Sequence, residues 1–193
     1  PESSDGQTMD PLENYGVQVM SIGFLVDQDE AMIWRGPMAT QALEQLLRQT
    51  NWKALDYLIV DMPPGTGDVQ LTISQQTPLA GAVVVSTPQD LALIDAKRAI
   101  QLLEVGQVPI IGMIENMAGY ACPHCGEVSD PFGCGGAEAA AGELGMAFLG
   151  RIPLQLSIRE ASDAGTPPAA GEGPAADAFA AIARRVATWL DNQ

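Results

Sequence analysis

Short apolar runs that end in a polar residue recur along this chain and alternate with segments of helical periodicity. The clearest are YLIVD at 57–61, AVVVS at 82–86 and PIIGMIEN at 109–116. Continuous apolar runs of this length are typical of parallel strands that are buried on both faces. Strands that alternate with helices in this way predict an α/β fold, Rossmann-like, with a doubly wound, mostly parallel sheet.

Apolar spacing and turn residues predict the other elements. They are a strand over 17–26, a helix after Gly36-Pro37, a helix over 90–106 closed by Gly106, a helix from near Gly136, a strand over 147–150, a Pro/Gly/Ala connector over 163–176 and a helix over 177–190. A chain of 193 residues is long enough for one hydrophobic core. We therefore expect a single domain over residues 1–193.

Charge and cysteine content exclude several classes of protein. The formal net charge is −15, from 24 acidic and nine basic residues, and such a surface repels nucleic-acid phosphates and anionic lipids. No apolar run approaches the roughly 18 residues of a membrane-spanning helix. Three cysteines, two of them in one Cys-x-x-Cys, fit a reducing compartment. We expect a cytoplasmic protein that binds neither nucleic acid nor membrane.

The first stretch whose residues suggest a binding or catalytic role is 61–68. A strand that ends in Asp61 places a carboxylate at the C-terminal edge of a parallel sheet, where ligands bind in such folds. Nucleotide hydrolases use an acid there to hold magnesium. A solvated Asp at a strand exit is the alternative. The double proline followed by two glycines and Asp68 favours a functional loop whose backbone N–H groups sense a phosphate.

The second stretch is the end of the run at 109–116. A side-chain amide at Asn116 can both donate to and accept from an adenine edge. An asparagine that simply makes the turn after a strand is the alternative, and it is the commoner situation for an isolated asparagine.

The third stretch, residues 119–136, holds all three cysteines and the one histidine. Cys122 and Cys125 have the spacing that lets two thiolates reach one tetrahedral metal, and they supply half of a four-ligand site. A redox dithiol and a pair of unrelated buried thiols are the alternatives. Pro123 and Gly126 favour a loop or knuckle over the helix start that redox pairs occupy. Cys134 is a possible third ligand, although a small loop residue is the favoured interpretation, and we expect His124 to be solvated.

These three stretches, in this order, resemble the Mrp/ApbC family of P-loop ATPases within the MinD/ParA-like group. The resemblance runs through DYLIVDMPPGTGDVQLT, GAVVVSTPQDLALIDAKRAI, GMIENMAGYACPHCG and LGRIPLQLSIREASDAGTP. It implies a P-loop NTPase fold and an iron–sulfur cluster carrier that uses ATP and Mg²⁺ as a switch and passes its cluster to apo iron–sulfur proteins. The Cys-x-x-Cys distinguishes this family from the MinD and ParA branches.

The resemblance also assigns roles to individual residues. These are Asp61 as the Walker B acid, Gly65, Thr66, Gly67 and Asp68 as the second switch loop, Asn116 as the adenine-recognising residue, Pro153 beside the base, and Cys122 and Cys125 as ligands of a [4Fe–4S] cluster. In the family that cluster bridges two protomers, which implies a homodimer.

One departure from the family pattern concerns the phosphate-binding loop. The chain contains no G-x-x-x-x-G-K-[ST] and no Gly-Lys dipeptide, and the resemblance places that loop upstream of Pro1. We therefore expect this polypeptide alone to bind ATP weakly and to hydrolyse it negligibly.

Two other functions compete with the cluster carrier. Two cysteines per chain suit a structural zinc that clasps a dimer, or a bridging [2Fe–2S] cluster, equally well. A MinD/ParA-like positioning ATPase is the third possibility, but the chain has neither a basic patch nor an amphipathic membrane-targeting tail.

Overall fold

A computed structural model describes residues 1–3, 6–25, 36–62, 70, 72–74 and 77–193. The chain divides into two compact units, residues 1–76 and 77–193. A single domain over 1–193 stays a prediction.

The first unit opens with a small antiparallel hairpin. Strands β1 (Leu12–Asn14) and β2 (Val17–Val19) are joined by Tyr15 and Gly16, both with positive φ (51° and 72°). Two successive left-handed residues make the turn that matches the twist of a tight hairpin. A 3-10 helix follows at Ile22–Phe24, where the Ser21 Oγ accepts the Gly23 N–H over 3.2 Å. The predicted strand over 17–26 is therefore wrong over 20–25, because Ser21 starts a helical turn, and residue 26 lies outside the described residues.

Helix α1 (Gly36–Arg48) confirms the helix predicted after Gly36-Pro37. Leu46 is buried, and its carbonyl accepts the hydroxyl of Thr50 over 2.7 Å. Thr50 in turn pairs with Met9 through an isolated β-bridge.

The strand predicted at YLIVD is wrong. Residues 57–61 are all described and form no strand, and Ile59 is 90% exposed. A strand is defined by hydrogen bonds to a neighbouring strand, so an apolar, β-branched sequence is not sufficient to form one. Among the described residues of the first unit, strand pairing is confined to β1–β2 and the Met9–Thr50 bridge.

The second unit carries the parallel sheet. In chain order its elements are β3 (Ala82–Ser86), α2 (Asp90–Val105), β4 (Ile110–Glu115), β5 (Tyr120–Ala121), β6 (Val128–Ser129), α3 (Gly136–Glu143), β7 (Phe148–Arg151), α4 (Leu156–Asp163), a 3-10 helix (Pro168–Ala170) and α5 (Pro174–Leu190). The sheet order is β3-β4-β7, and both pairings are parallel. The predicted α/β class is confirmed, as are the strands at 82–86 and 109–116. Helix α4 and the β5–β6 hairpin were not predicted.

Helices cover both faces of this sheet. One core cluster packs Val84 and Met113 against α2 and α3, and the other packs Ile111 and Leu149 against α5. Ile111 and Met113 are two residues apart yet lie in different clusters, because the β3–β4 register shifts between Ala82 and Val83. An extra residue in one strand reverses the alternation of side chains beyond it.

No helix in the described part of the chain has the length and apolar content needed to cross a membrane.

Candidate functional site

The three parallel strands end at one edge of the sheet, at Ser86, Glu115 and Arg151. Strand pairing continues past these ends into the loops. The Asn116 N–H donates to the Ser86 carbonyl and the Ile152 N–H to the Glu115 carbonyl, each over 2.8 Å. The carboxyl edge of such a sheet is where ligands bind in α/β folds. The backbone at this edge is therefore ordered up to the residues that the sequence singled out.

Asn116 makes a turn directly after β4. Its Oδ1 accepts the N–H of Met117 over 2.9 Å, and Met117 has a positive φ of 56°. This is the local turn that was the alternative to adenine recognition. A carbonyl oxygen has two lone pairs and the amide nitrogen two donors, so the turn does not occupy the whole side chain. Recognition of adenine by Asn116 stays a prediction.

Pro153 lies beside the segment that carries Asn116. The Ala118 N–H donates to the Ile152 carbonyl and the Leu154 N–H to the Gly119 carbonyl, each over 2.9 Å. These two bonds flank Pro153, which has no N–H of its own to donate. The structure thus brings Asn116 and Pro153 onto adjacent, paired segments. Contact of either with a base stays a prediction.

The remaining nucleotide-site predictions fall in the first unit. Gly65, Thr66, Gly67 and Asp68 lie outside the described residues. Asp61 is exposed and follows an irregular segment, and it helps to line a cavity of about 930 Å³ together with the apolar side chains of Leu46 and Trp52. The expected position of Asp61 at the end of a strand is not found, and its role towards magnesium stays a prediction.

Cys122 and Cys125 lie in the turn of the β5–β6 hairpin. The Cys122 N–H donates to the Glu127 carbonyl over 2.9 Å, and the Gly126 N–H donates back to the Cys122 carbonyl over 2.8 Å. Gly126 is left-handed, with φ 75°. Cys122 is half-buried where the ladder ends, whereas Cys125 is exposed. A loop or knuckle was predicted here, and the structure shows the turn of a two-stranded hairpin.

The hairpin favours the thiolate at Cys122. The backbone N–H of Cys125 hydrogen-bonds to the Cys122 sulfur and is the largest influence lowering the pKa of that thiol. The N–H of His124 and the thiol of Cys125 lower the pKa further, and burial opposes them weakly. The thiolate is the form that binds metals, so the backbone favours that form at Cys122, and metal binding by the pair stays a prediction.

The hairpin brings together two thiols whose spacing fits two positions of a tetrahedral metal site. Within the part of the chain that the structure describes, no group of three or more His, Cys, Asp or Glu side chains is placed to hold a metal ion. Cys134 and His124 are both described, so neither completes a three-ligand site with the pair. Two thiolates at this spacing fit half of a tetrahedral set, so a four-ligand site built on them would need two further ligands from outside the described residues of this chain.

Sequence reasoning missed one residue at this edge. The Glu115 side chain is fully buried and accepts hydrogen bonds from Gly135 N–H, Ala137 N–H and Arg151 Nε. A glutamate at the end of an otherwise apolar run was the available signal, because a buried carboxylate requires partners.

Comparisons with known proteins give a consistent result. A ParA-group family model, described as NUBPL iron-transfer P-loop NTPase, matches residues 1–187. The iron–sulfur cluster carrier protein of Haemophilus influenzae is 49% identical over 192 residues, which cover 98% of this chain and 52% of that protein. The iron–sulfur cluster transfer protein NUBPL of Dictyostelium discoideum is 52% identical over 167 residues, covering 86% of this chain and 52% of that protein.

A solved structure is also similar. It is the nucleotide-binding protein of Archaeoglobus fulgidus in complex with ADP, with a TM-score of 0.69 and 34% identity over 84% of this chain and 63% of that one. This likeness and the family model confirm the predicted P-loop NTPase fold. The chain spans about half the length of the curated relatives it matches. Since the family model matches from residue 1, an upstream phosphate-binding loop stays a prediction.

Proposed function

We propose that this chain, which belongs to the family of NUBPL-type iron-transfer P-loop NTPases, carries an iron–sulfur cluster on its cysteine hairpin and passes it to apo iron–sulfur proteins. The named relatives are an iron–sulfur cluster carrier and an iron–sulfur cluster transfer protein, which supports this role. The cluster is the cargo of the protein.

One observation carries the proposal. Two thiols, Cys122 and Cys125, lie in one tight turn whose backbone favours the thiolate, and no third ligand joins them among the described residues. A [4Fe–4S] cluster is held by four thiolates. Two copies of the hairpin related by a two-fold axis supply that number, so we propose a homodimer with a bridging [4Fe–4S] cluster.

The exposure of the hairpin supports transfer. Cluster release requires an incoming cysteine thiolate to replace a protein ligand, so the cargo has to be reached from outside. Cys125 is exposed at the turn, which gives a recipient protein access to that side of the cargo. A cluster enclosed in the core of the sheet would be protected from such exchange.

We propose that ATP and Mg²⁺ control the cycle. Asp61 and the loop Gly65 to Asp68 would sense the phosphates and metal, and Asn116 with Pro153 would hold the base. The ADP in the Archaeoglobus protein supports nucleotide binding by this fold. Because these 193 residues contain no G-x-x-x-x-G-K-[ST], we propose that this polypeptide alone hydrolyses ATP negligibly. An ATPase assay checks this, and turnover equal to that of a longer relative would contradict it.

We further propose a cytoplasmic location without nucleic-acid or membrane partners. The net charge of −15 supports the absence of those partners, because it opposes binding to phosphate-rich surfaces, and the reduced state expected of a Cys-x-x-Cys supports the location.

The decisive experiment is anaerobic reconstitution with iron and sulfide, followed by the absorption spectrum, the iron content and the mass in solution. We expect a brown dimer with about four irons per two chains. Cys122→Ser and Cys125→Ser should abolish the colour, and Cys134→Ser is the matched control that should retain it. A colourless protein that keeps one zinc per dimer would instead establish a structural clasp.

A further inference from the structure

Glu115 is the last residue of β4, and its register partner is Arg151, the last residue of β7. The Glu115 side chain is 0% exposed. A carboxylate without water is costly unless it is paired and hydrogen-bonded. Its surroundings therefore have to provide donors.

Those donors come from two distant parts of the chain. Glu115 Oε1 accepts the N–H of Gly135 over 3.2 Å and the Nε–H of Arg151 over 3.1 Å, and Oε2 accepts the N–H of Ala137 over 2.9 Å. Gly135 is the N-cap of α3 and Ala137 lies in its first turn. The carboxylate thus occupies the positive end of that helix, where exposed N–H groups and the helix dipole favour a negative charge.

Arg151 makes further contacts besides the one to Glu115. Its Nη2 donates to Glu138, on α3, and its guanidinium lies 5.4 Å from the centre of the Phe148 ring. Burial acts to lower the pKa of Arg151, but the hydrogen bond to Glu115 and the charges of Glu138, Glu115 and Cys134 outweigh it and raise that pKa. The guanidinium of Arg151 therefore carries its positive charge beside Glu115. One buried carboxylate joins β4, β7 and the start of α3.

The Glu115–Arg151 pair lies between the sheet and the segments that carry the cysteines. The segments that leave β4 and β7 stay paired as far as the β-bridge between Tyr120 and Leu154, where the hairpin begins. On the other side, Gly135 directly follows Cys134. Glu115 and Arg151 thus form the last side-chain link between sheet strands before the hairpin and the Cys134 turn.

We propose that Glu115 is a positioning residue: through Arg151 and the start of α3 it holds the base of the cysteine hairpin and the Cys134 turn in fixed relation at the sheet edge. The effect on metal binding rests on the proposed function, because it takes Cys122 and Cys125 as the ligands. The effect on the Cys134 turn does not depend on that function.

The test uses the full 193-residue chain and two readouts. The first is a Co²⁺ titration followed by the thiolate absorption band, and the second is the rate of Cys134 alkylation by iodoacetamide, followed by peptide mass spectrometry. For Glu115→Gln we expect Co²⁺ affinity to fall by about fivefold or more and the rate of Cys134 alkylation to rise by a similar factor. The reason is that the NH₂ group of glutamine would face N–H donors that now bind a carboxylate oxygen.

Two controls separate positioning from stability. Glu143→Gln removes a glutamate of the same helix that pairs with Lys97 at the surface, and it should leave both readouts unchanged. Ile100→Val weakens the core cluster beneath α2 and α3 without changing any hydrogen-bonding group of Glu115 or Arg151, so it should lower the melting temperature but not the Co²⁺ affinity of the folded protein.

A fourth variant covers the case in which Glu115→Gln fails to fold. Arg151→Gln changes a half-exposed side chain and leaves the two backbone donors on Glu115, so it should fold and shift both readouts in the same direction. Unchanged Co²⁺ affinity in the folded Glu115 and Arg151 variants would overturn the proposal. If anaerobic reconstitution of the wild-type chain gives no iron–sulfur chromophore, the proposed function fails, and the Cys134 alkylation rates alone then support or overturn the positioning role.

Discussion

Cys122 and Glu127 face each other across the hairpin, and the N–H of Cys122 donates to the carbonyl oxygen of Glu127 over 2.9 Å. The returning bond from Gly126 to Cys122 closes the turn that carries both sulfur atoms. The backbone therefore shapes the turn before any metal is bound, and a preformed turn lowers the entropy lost on binding. This relationship leads to two predictions about the hairpin, and the close packing of the second unit leads to two more.

Gly126→Ala should weaken metal binding by the hairpin. The left-handed φ of 75° at this position costs a residue with a Cβ about 1 kcal/mol, or roughly fivefold in affinity, and no atom lies within 4 Å to add a clash. A Co²⁺ titration measures the effect. Gly165→Ala is the matched control, with φ 70° and equally open space, and it should leave Co²⁺ affinity unchanged. Equal affinities for Gly126→Ala and wild type would contradict the prediction.

Cys122 should react with iodoacetamide at lower pH in the folded protein than in an unstructured peptide of residues 119–129. Interactions of its sulfur with the N–H groups of Cys125 and His124 lower its pKa in the hairpin, and these interactions are absent from the unstructured peptide. The pKa of the Cys122 thiol is lower in the folded protein than in the peptide. Its contribution to the stability of the folded state is therefore fully present above the peptide pKa of about 8.5, and it is lost as the pH falls through the folded pKa. Site-resolved alkylation against pH tests this, and coincident midpoints would show that the hairpin leaves the thiol unperturbed.

Gly136→Ala should destabilise the second unit by about 1–3 kcal/mol, because overpacking forces the backbone to move. A Cβ at this position would overlap the carbonyl oxygen of Pro88 and lie 3.0 Å from its carbonyl carbon. Urea denaturation gives the change in the free energy of unfolding. Gly142→Ala, on the same helix but with open space around it, should instead raise that free energy by up to about 1 kcal/mol. A destabilisation of similar size at both glycines would rule out the clash as the cause.

Met113→Ala should lower the free energy of unfolding by about 2–5 kcal/mol. The side chain is 0% exposed at the centre of the cluster beneath α2 and α3, and its loss leaves a cavity there. Val105→Ala, at a side chain that is 73% exposed, should change the free energy by less than about 0.5 kcal/mol. Thermal and urea unfolding provide the comparison, and a small effect at Met113 would mean that the core relaxes to fill the space.

Local sequence determined the elements whose signals lie within one short window. The runs at 82–86 and 109–116 became β3 and β4, and the spacing over 90–106 became α2 with Gly106 as its C-cap. Pro123 and Gly126, which flank the cysteines, likewise predicted a loop or knuckle, and a hairpin turn is found there, whereas metal binding by the cysteines stays a prediction. In each case the deciding features, apolar periodicity or turn residues, are set by residues close together in the chain.

Local sequence gave no prediction of helix α4 and a wrong prediction of a strand at 57–61. Residues 156–163 form a helix although Gln155 provides no side-chain cap, so the usual start signal was missing. Residues 57–61 carry the apolar, β-branched composition of a buried strand and yet form none, because a strand also needs a partner that this composition does not specify.

Tertiary structure alone decided the arrangement at the carboxyl edge of the sheet. Glu115 meets Ala137 and Arg151, which are 22 and 36 residues away, and Asn116 comes to lie beside the segment that holds Pro153. Periodicity reports which face of an element is apolar, but the identity of the groups across that face depends on strand order and register. A buried charge and its partners are fixed by that long-range pairing, and no local pattern encodes it.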